Sequence, residues 1–307
     1  MKSKLKDPLP ASSSFEFLTY SASAAQQPPP DLSVKNDAFW SYCGPLLAEE
    51  GDLPASLHDW ARAVLRGSLL PLLLPFLAFA NEVLAAEGLD HYWLTIRATR
   101  ATPEFDRPRW HTDDLFFSRG GCGLREPPTA SSASLATSSA KATARIKTKL
   151  QAAVRAPAAP APELDLQTDW KLCATLLGPP TLFIPSASQA LARHTSRLAK
   201  LSLSTPHPCT SLRCAACAAT SDAVRASLCT SLASLGLVQA RPGQCAVFRI
   251  GGERGAVHSE PSLGRGDRVF VNVVPGRRAE LAGLVAKWGM GFPRSWWIAP
   301  GVLREGR

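Results

Sequence analysis

The sequence predicts an α+β domain, helices first and a sheet after them. Three observations carry this. Apolar residues recur at helical spacing between Ser56 and Gly88. From Asp90 to Gly276, short runs of aromatic and β-branched residues alternate with Gly- and Pro-containing turns. And 45% of the 307 residues are hydrophobic, enough for one sizeable core. We expect a single domain over residues 36–300.

Residues 1–35 are rich in Ser, Ala, Gln and Pro and read as a mobile arm, with one short strand at Phe15–Tyr20. Ser56 reads as an N-cap, with Asp59 three positions on, ahead of the apolar positions Trp60, Ala63 and Val64. The most apolar run, Leu69–Ala80, contains Pro71 and Pro75 and is too short to span a bilayer. A kinked core helix is expected there, resuming beyond the prolines through Phe76, Phe79, Val83 and Leu84 and stopping near Gly88.

Strands are predicted at His91–Arg100, Arg109–Phe117, Trp170–Leu177, Thr181–Pro185, Gln244–Ile250, Gly255–Ser259 and Arg268–Val274, with Pro275-Gly276 ending the sheet. Helices are predicted at Ala190–Leu201 and Ser221–Leu237. The tail with Trp288, Trp296 and Trp297 is expected to dock as a helix and an irregular segment. Residues from about 120 to 167 lose all pattern and read as a disordered, low-complexity insertion, with a short basic helix at Ala140–Val154. A second loop, about 203–220, carries cysteines.

The formal net charge of +9 permits a phosphate-rich partner, but the basic insertion has no aromatics on which bases stack, so nucleic acid is not the expected partner. Eight cysteines without a regular framework indicate free thiols and an intracellular, cytoplasmic protein. No apolar signal segment follows the basic N-terminus, and Asp7 and Glu16 suit a mitochondrial presequence poorly, although that compartment stays open. Cys209, Cys214 and Cys217 offer thiols, but the second pair of a structural zinc site is missing, so zinc is not expected there. No dinucleotide-binding, Walker, His-Glu-x-x-His or Gly-x-Ser-x-Gly motif occurs.

The chemistry concentrates at Arg109-Trp110-His111-Thr112-Asp113. On a strand, side chains two apart share a face, so His111 and Asp113 converge while Trp110 and Thr112 face away. A third ligand, His258, would complete a 2-His-1-carboxylate triad, which holds Fe(II) and leaves positions open. Arg268 begins the next strand and offers a fork for a co-substrate carboxylate. Lys171 is the second candidate anion binder, and Asn272 shares strand parity with Arg268. Trp110 and Trp170 are assigned to the core.

These segments, together with Leu172–Thr181, Gly243–Phe248, Val257–Pro261 and Val269–Val271, resemble an uncharacterised family of domains of unknown function. Its members carry a His-x-Asp strand, a Gly-Pro-Gly-Thr turn, a Gly-Asp-Val-like strand and a His-Arg/Ser-x-Pro motif; the turn here reads Gly178-Pro179-Pro180-Thr181. That family is similar to cupin and Fe(II)/2-oxoglutarate dioxygenase folds. The resemblance implies a cupin- or jelly-roll-like double-stranded β-helix behind N-terminal helices. With it the expected cofactors are Fe(II), on His111, Asp113 and His258, and 2-oxoglutarate, whose far carboxylate Arg268 would clamp. The alternative is a non-catalytic, cupin-like module that binds a small molecule or a metal. The sequence names neither a small-molecule or protein substrate nor an oligomeric state.

Overall fold

The computed structural model describes Leu9, Pro29 and residues 13–21, 31–103, 106–113, 168–204, 214–264, 266–286 and 288–298. The insertion at 120–167 with its basic helix, most of the N-terminal arm, Cys209 and the end of the His111 strand at 114–117 lie outside the described residues.

In chain order, β1 (Phe15–Thr19), β2 (Ser33–Val34) and β3 (Ala38–Pro45) precede α1 (Ala55–Val64), β4 (Leu65–Arg66) and α2 (Leu70–Ala86). β5 (His91–Thr99), β6 (Trp170–Leu177) and β7 (Leu182–Phe183) lead to α3 (Gln189–Leu203) and α4 (Ala215–Ser231). β8 (Val238–Gln239), β9 (Gln244–Arg249), β10 (His258–Ser259), β11 (Arg268–Gly276), α5 (Arg278–Ala286) and β12 (Arg294–Trp297) complete the chain. Helices and a large antiparallel sheet make this an α+β fold.

The large sheet has seven strands in the order β1-β9-β6-β11-β5-β3-β12, all antiparallel. A smaller sheet runs β10-β7-β8, and His111 adds to its β10 edge through an isolated bridge to His258. Strands consecutive in sequence therefore change sheets repeatedly. β5, β6, β9 and β11 belong to the large sheet; the His111 segment, β7, β8 and β10 belong to the small one.

Alternation along each strand sorts the side chains of the large sheet. Leu94, Ile96, Leu172, Ala174, Val247, Val269, Val271 and Val273 point to one face and bury against Trp60 and Val64 of α1 and Leu73, Phe76 and Leu77 of α2. The opposite face looks at the small sheet across Phe15, Cys173, Phe183, Ala246 and Phe248. The far side of the small sheet is covered by α3 and α4, where Trp110 and Val257 pack with Ala192, Val224 and Leu228.

Several elements depart from the sequence reading. α2 is one helix that runs through Pro75 rather than breaking there. An internal proline costs about 3 kcal/mol, whereas each large apolar side chain buried gains about 1.5–3 kcal/mol. Leu72, Leu73, Phe76, Leu77 and Leu84 are all buried, so packing wins. Ser56 does not cap α1; Pro54 holds the cap position. The Ser56 hydroxyl accepts the Trp40 indole N–H at 2.9 Å and donates to Ser295 Oγ at 2.8 Å. α4 begins at Ala215, ahead of Ser221, because its first residues are mostly alanine, the best helix former. Cys217 consequently lies on that helix, and Cys214 is its cap residue. β3 and β12 were not anticipated; Pro275 and Gly276 are the last residues of β11, and β12 extends the sheet beyond them. Among the described residues no helix is long and apolar enough to cross a membrane.

Candidate metal centre

The site begins with a backbone pairing. His111 and His258 face each other across an antiparallel bridge and exchange both hydrogen bonds, N–H to carbonyl, at 2.9 Å each way. Residues directly opposite in such a pair have their side chains on the same face. The imidazoles are accordingly adjacent, with ring centroids 4.4 Å apart. Asp113, two residues along, falls on that face as well, and its carbonyl is fixed by the Gly251 N–H at 2.7 Å. Trp110 and Val257, one residue out of phase, enter the helix-side core.

Ring orientation follows from two further bonds. His111 Nδ1 lies 2.7 Å from the Arg109 carbonyl and His258 Nδ1 lies 2.9 Å from the Ala256 carbonyl. A carbonyl only accepts, so both Nδ1 atoms carry the proton and each Nε2 presents a lone pair. Those lone pairs converge on one carboxylate: His111 Nε2 is 3.7 Å from Asp113 Oδ1, and His258 Nε2 is 3.6 Å from Oδ2. One donor atom from each of the three residues lies within 4.8 Å of the others, the only such group of histidine, cysteine and acidic residues among the described residues. The two histidine–carboxylate separations exceed the 3–3.5 Å expected of ligands on one ion at bond lengths near 2 Å by a few tenths of an ångström, and the 4.8 Å span of the whole set exceeds it by more than 1 Å, so binding would have to draw the donors together.

The electrostatics favour an ionised Asp113 beside a neutral His258. Burial pushes the Asp113 carboxyl up, but the Lys171 ammonium and the two imidazoles outweigh it and hold it at about 2. Burial pulls His258 down to about 4 despite the attraction of Asp113, so it is neutral near pH 7 and available as a ligand. Cys173 faces the same space, and burial pushes its thiol up to about 11, so without an ion it is a neutral thiol near pH 7. His111, with 27% of its side chain exposed, marks the open side; His258, at 8%, is the closed one.

Arg268 projects from the start of β11, 6% exposed. It donates through Nε to the Pro179 carbonyl at 3.0 Å and through a terminal nitrogen to Thr181 Oγ1 at 2.9 Å, and it stacks on Phe270. Burial lowers its guanidinium to about 10, so it stays charged at pH 7. The turn that supplies Pro179 requires Gly178: its φ is +83°, and a Cβ there would lie 2.0 Å from the Asp267 carbonyl oxygen. Asn272, on the same face of β11, has a buried Oδ1 without a hydrogen-bond partner. Lys171 lies on Asp113, not at a distance from it: its ammonium is ion-paired with Oδ2 and sits 4.9 Å over the Phe248 ring.

Two positioning residues escaped the sequence reading. Gln189, 2% exposed, laces the small sheet together. Its amide donates to the carbonyls of Ile184 at 2.7 Å and Val257 at 3.1 Å and accepts the Val257 N–H at 2.7 Å. Glu260 pairs with Arg109 at 3.6 Å beside the open side of the site. Burial pushes Glu260 up, but His111 and Arg109 hold its acid below the usual range. A buried amide at the start of a helix and an acid beside a proline carry no motif; only position reveals them.

Comparison of the chain with protein-family models, with curated proteins and with solved structures finds no match.

Proposed function

We propose that the chain is a non-haem Fe(II)- and 2-oxoglutarate-dependent oxygenase built on a double-stranded β-helix. The observation that carries this is the pair of Nε2 lone pairs aimed at one ionised carboxylate, with both Nδ1 protons held by backbone carbonyls. That is the donor set and tautomer a facial triad needs. The strand order supports the fold. Between β5 and β11 the chain crosses repeatedly between the two facing sheets, with only β7 and β8 following each other in the same one, and the triad lies on the inner face of the smaller sheet. Rolling two facing sheets in this way is how a jelly roll encloses a cavity.

In this reading His111, Asp113 and His258 hold the ion, and Arg268 receives the far carboxylate of the co-substrate, its fork already oriented by Pro179 and Thr181. Asn272 supplies an unused acceptor on the same wall. Iron with 2-oxoglutarate supplies oxidative decarboxylation of the co-substrate coupled to hydroxylation of a second molecule. The protein positions both and keeps the inner side dry, since His258 and Phe183 are buried. An intracellular location, where ferrous iron and free thiols persist, belongs to the same reading; Cys43, Cys173, Cys229 and Cys245 are free thiols.

The ion pair between Lys171 and Asp113 favours a second reading, a non-catalytic cupin-like binding module in which the ammonium occupies the carboxylate. Anaerobically purified protein loaded with Fe(II) decides between them. Under oxygen it should convert 2-oxoglutarate to succinate, and His111→Ala should abolish the conversion. Tight metal binding with no succinate from the wild type would leave the binding module.

A further inference from the structure

Lys171 sits where a cation is least expected. It is 7% exposed, it projects from β6 toward the small sheet, and its ammonium is ion-paired with Asp113 Oδ2. The same oxygen lies 3.6 Å from His258 Nε2. A metal ion bridging His258 and Asp113 must share Oδ2 with the ammonium or dislodge it. The charge balance points the same way. The Asp113 carboxylate already has its counter-charge in the Lys171 ammonium. Arg109 and Glu260, the neighbouring pair, offset each other. A divalent cation therefore enters a site that is already neutralised, within a few ångströms of a like charge and largely shielded from water, where repulsion is strong. An incoming dianion removes the excess, and the lysine's flexible four-carbon stem lets the ammonium swing to it.

We propose that Lys171 couples metal uptake to the binding of a dianionic carboxylate: the ammonium neutralises Asp113 in the metal-free protein and passes to the anionic co-ligand when the ion arrives. The inference rests on the metal reading above. It makes Lys171 a specificity-determining residue, one that keeps the ion weakly held until a dicarboxylate is present. By linkage the effect is reciprocal, so metal raises the affinity for the dicarboxylate by the same factor.

The test uses Mn(II), 2-oxoglutarate and no oxygen, with unbound Mn(II) counted by its paramagnetic resonance signal. Wild-type protein should bind Mn(II) more tightly with millimolar 2-oxoglutarate than without it. Lys171→Met, which keeps the apolar stem, should bind Mn(II) alone roughly tenfold or more tightly than wild type, because a like charge has gone. Its further gain from 2-oxoglutarate should shrink. Lys171→Arg, which keeps the charge, should retain the coupling and guards against a Met variant that fails to fold. Equal or weaker Mn(II) binding by folded Lys171→Met, with an undiminished gain from 2-oxoglutarate, overturns the coupling but leaves the metal site standing. If wild type and Lys171→Met are both folded and neither takes Mn(II), the metal reading itself falls, and the coupling with it.

Discussion

Replacing Gln189 with Met removes an amide while keeping the length of the side chain. In the folded chain that amide serves three backbone groups: the Ile184 and Val257 carbonyls and the Val257 N–H. The Val257 carbonyl keeps a second donor, the Ile184 N–H at 3.2 Å. The Ile184 carbonyl and the Val257 N–H lose their partner, and at 2% exposure of Gln189 water does not replace it. Each buried group left unsatisfied costs about 1–3 kcal/mol, so the two cost about 2–6 kcal/mol. The thioether, easier to bury than an amide, returns about 1 kcal/mol. A net loss of about 1–5 kcal/mol lowers the melting temperature by about 2–20 °C in a domain of this size. Urea denaturation followed by tryptophan fluorescence measures it. Because Val257 precedes His258, Mn(II) affinity should fall as well. A loss below about 1 kcal/mol would refute the reasoning, since it would mean that the small sheet holds its register without the amide.

Three more outcomes follow from the same structure. Gly178→Ala should destabilise the fold by at least about 2 kcal/mol in the same assay, because a left-handed φ and a backbone oxygen in the way add together. Arg268→Lys should raise the 2-oxoglutarate concentration for half-maximal succinate formation by about tenfold, equivalent to about 1.4 kcal/mol, while Mn(II) affinity in the absence of co-substrate is unchanged. Acid should weaken the metal-free protein in a specific window. His258 has a folded pKa of about 4 against an ordinary 6.5, so the unfolded chain takes up the proton first. Stability contributed by neutral His258 is complete above the ordinary value and declines as pH falls toward about 4. Urea midpoints across that range should flatten in His258→Gln; a wild-type slope in the variant would rule the group out.

Much of the domain was legible because its strands alternate cleanly. In β6, Trp170, Leu172, Ala174 and Leu176 face the helices while Lys171 and Cys173 face inward, and the two-residue period is visible in the letters. The triad was legible for the same reason: His111 and Asp113 share parity, and His258 sits in a second β-forming run. Elements decided by tertiary packing were not. β3 went unread because Phe39, Trp40 and Tyr42 read as a strand only once β5 and β12 flank them. Pro75 marked a kink, and the helix is continuous through it because its leucines are buried. The register pairing His111 with His258, and the ammonium on Asp113, depend on contacts between segments far apart in the chain, which local spacing does not encode.

If the proposed site takes an ion, the bridge that sets the two imidazoles side by side also makes that site a sensor of correct strand alignment. Slipping the His258 segment by one residue would turn that imidazole into the apolar layer under α3 and α4 and present Val257 to Asp113 instead. Only the properly aligned chain can offer three donors to an ion, so any ion that binds lowers the free energy of that alignment alone. On the metal reading, supplying Mn(II) during refolding should then raise the yield of native protein.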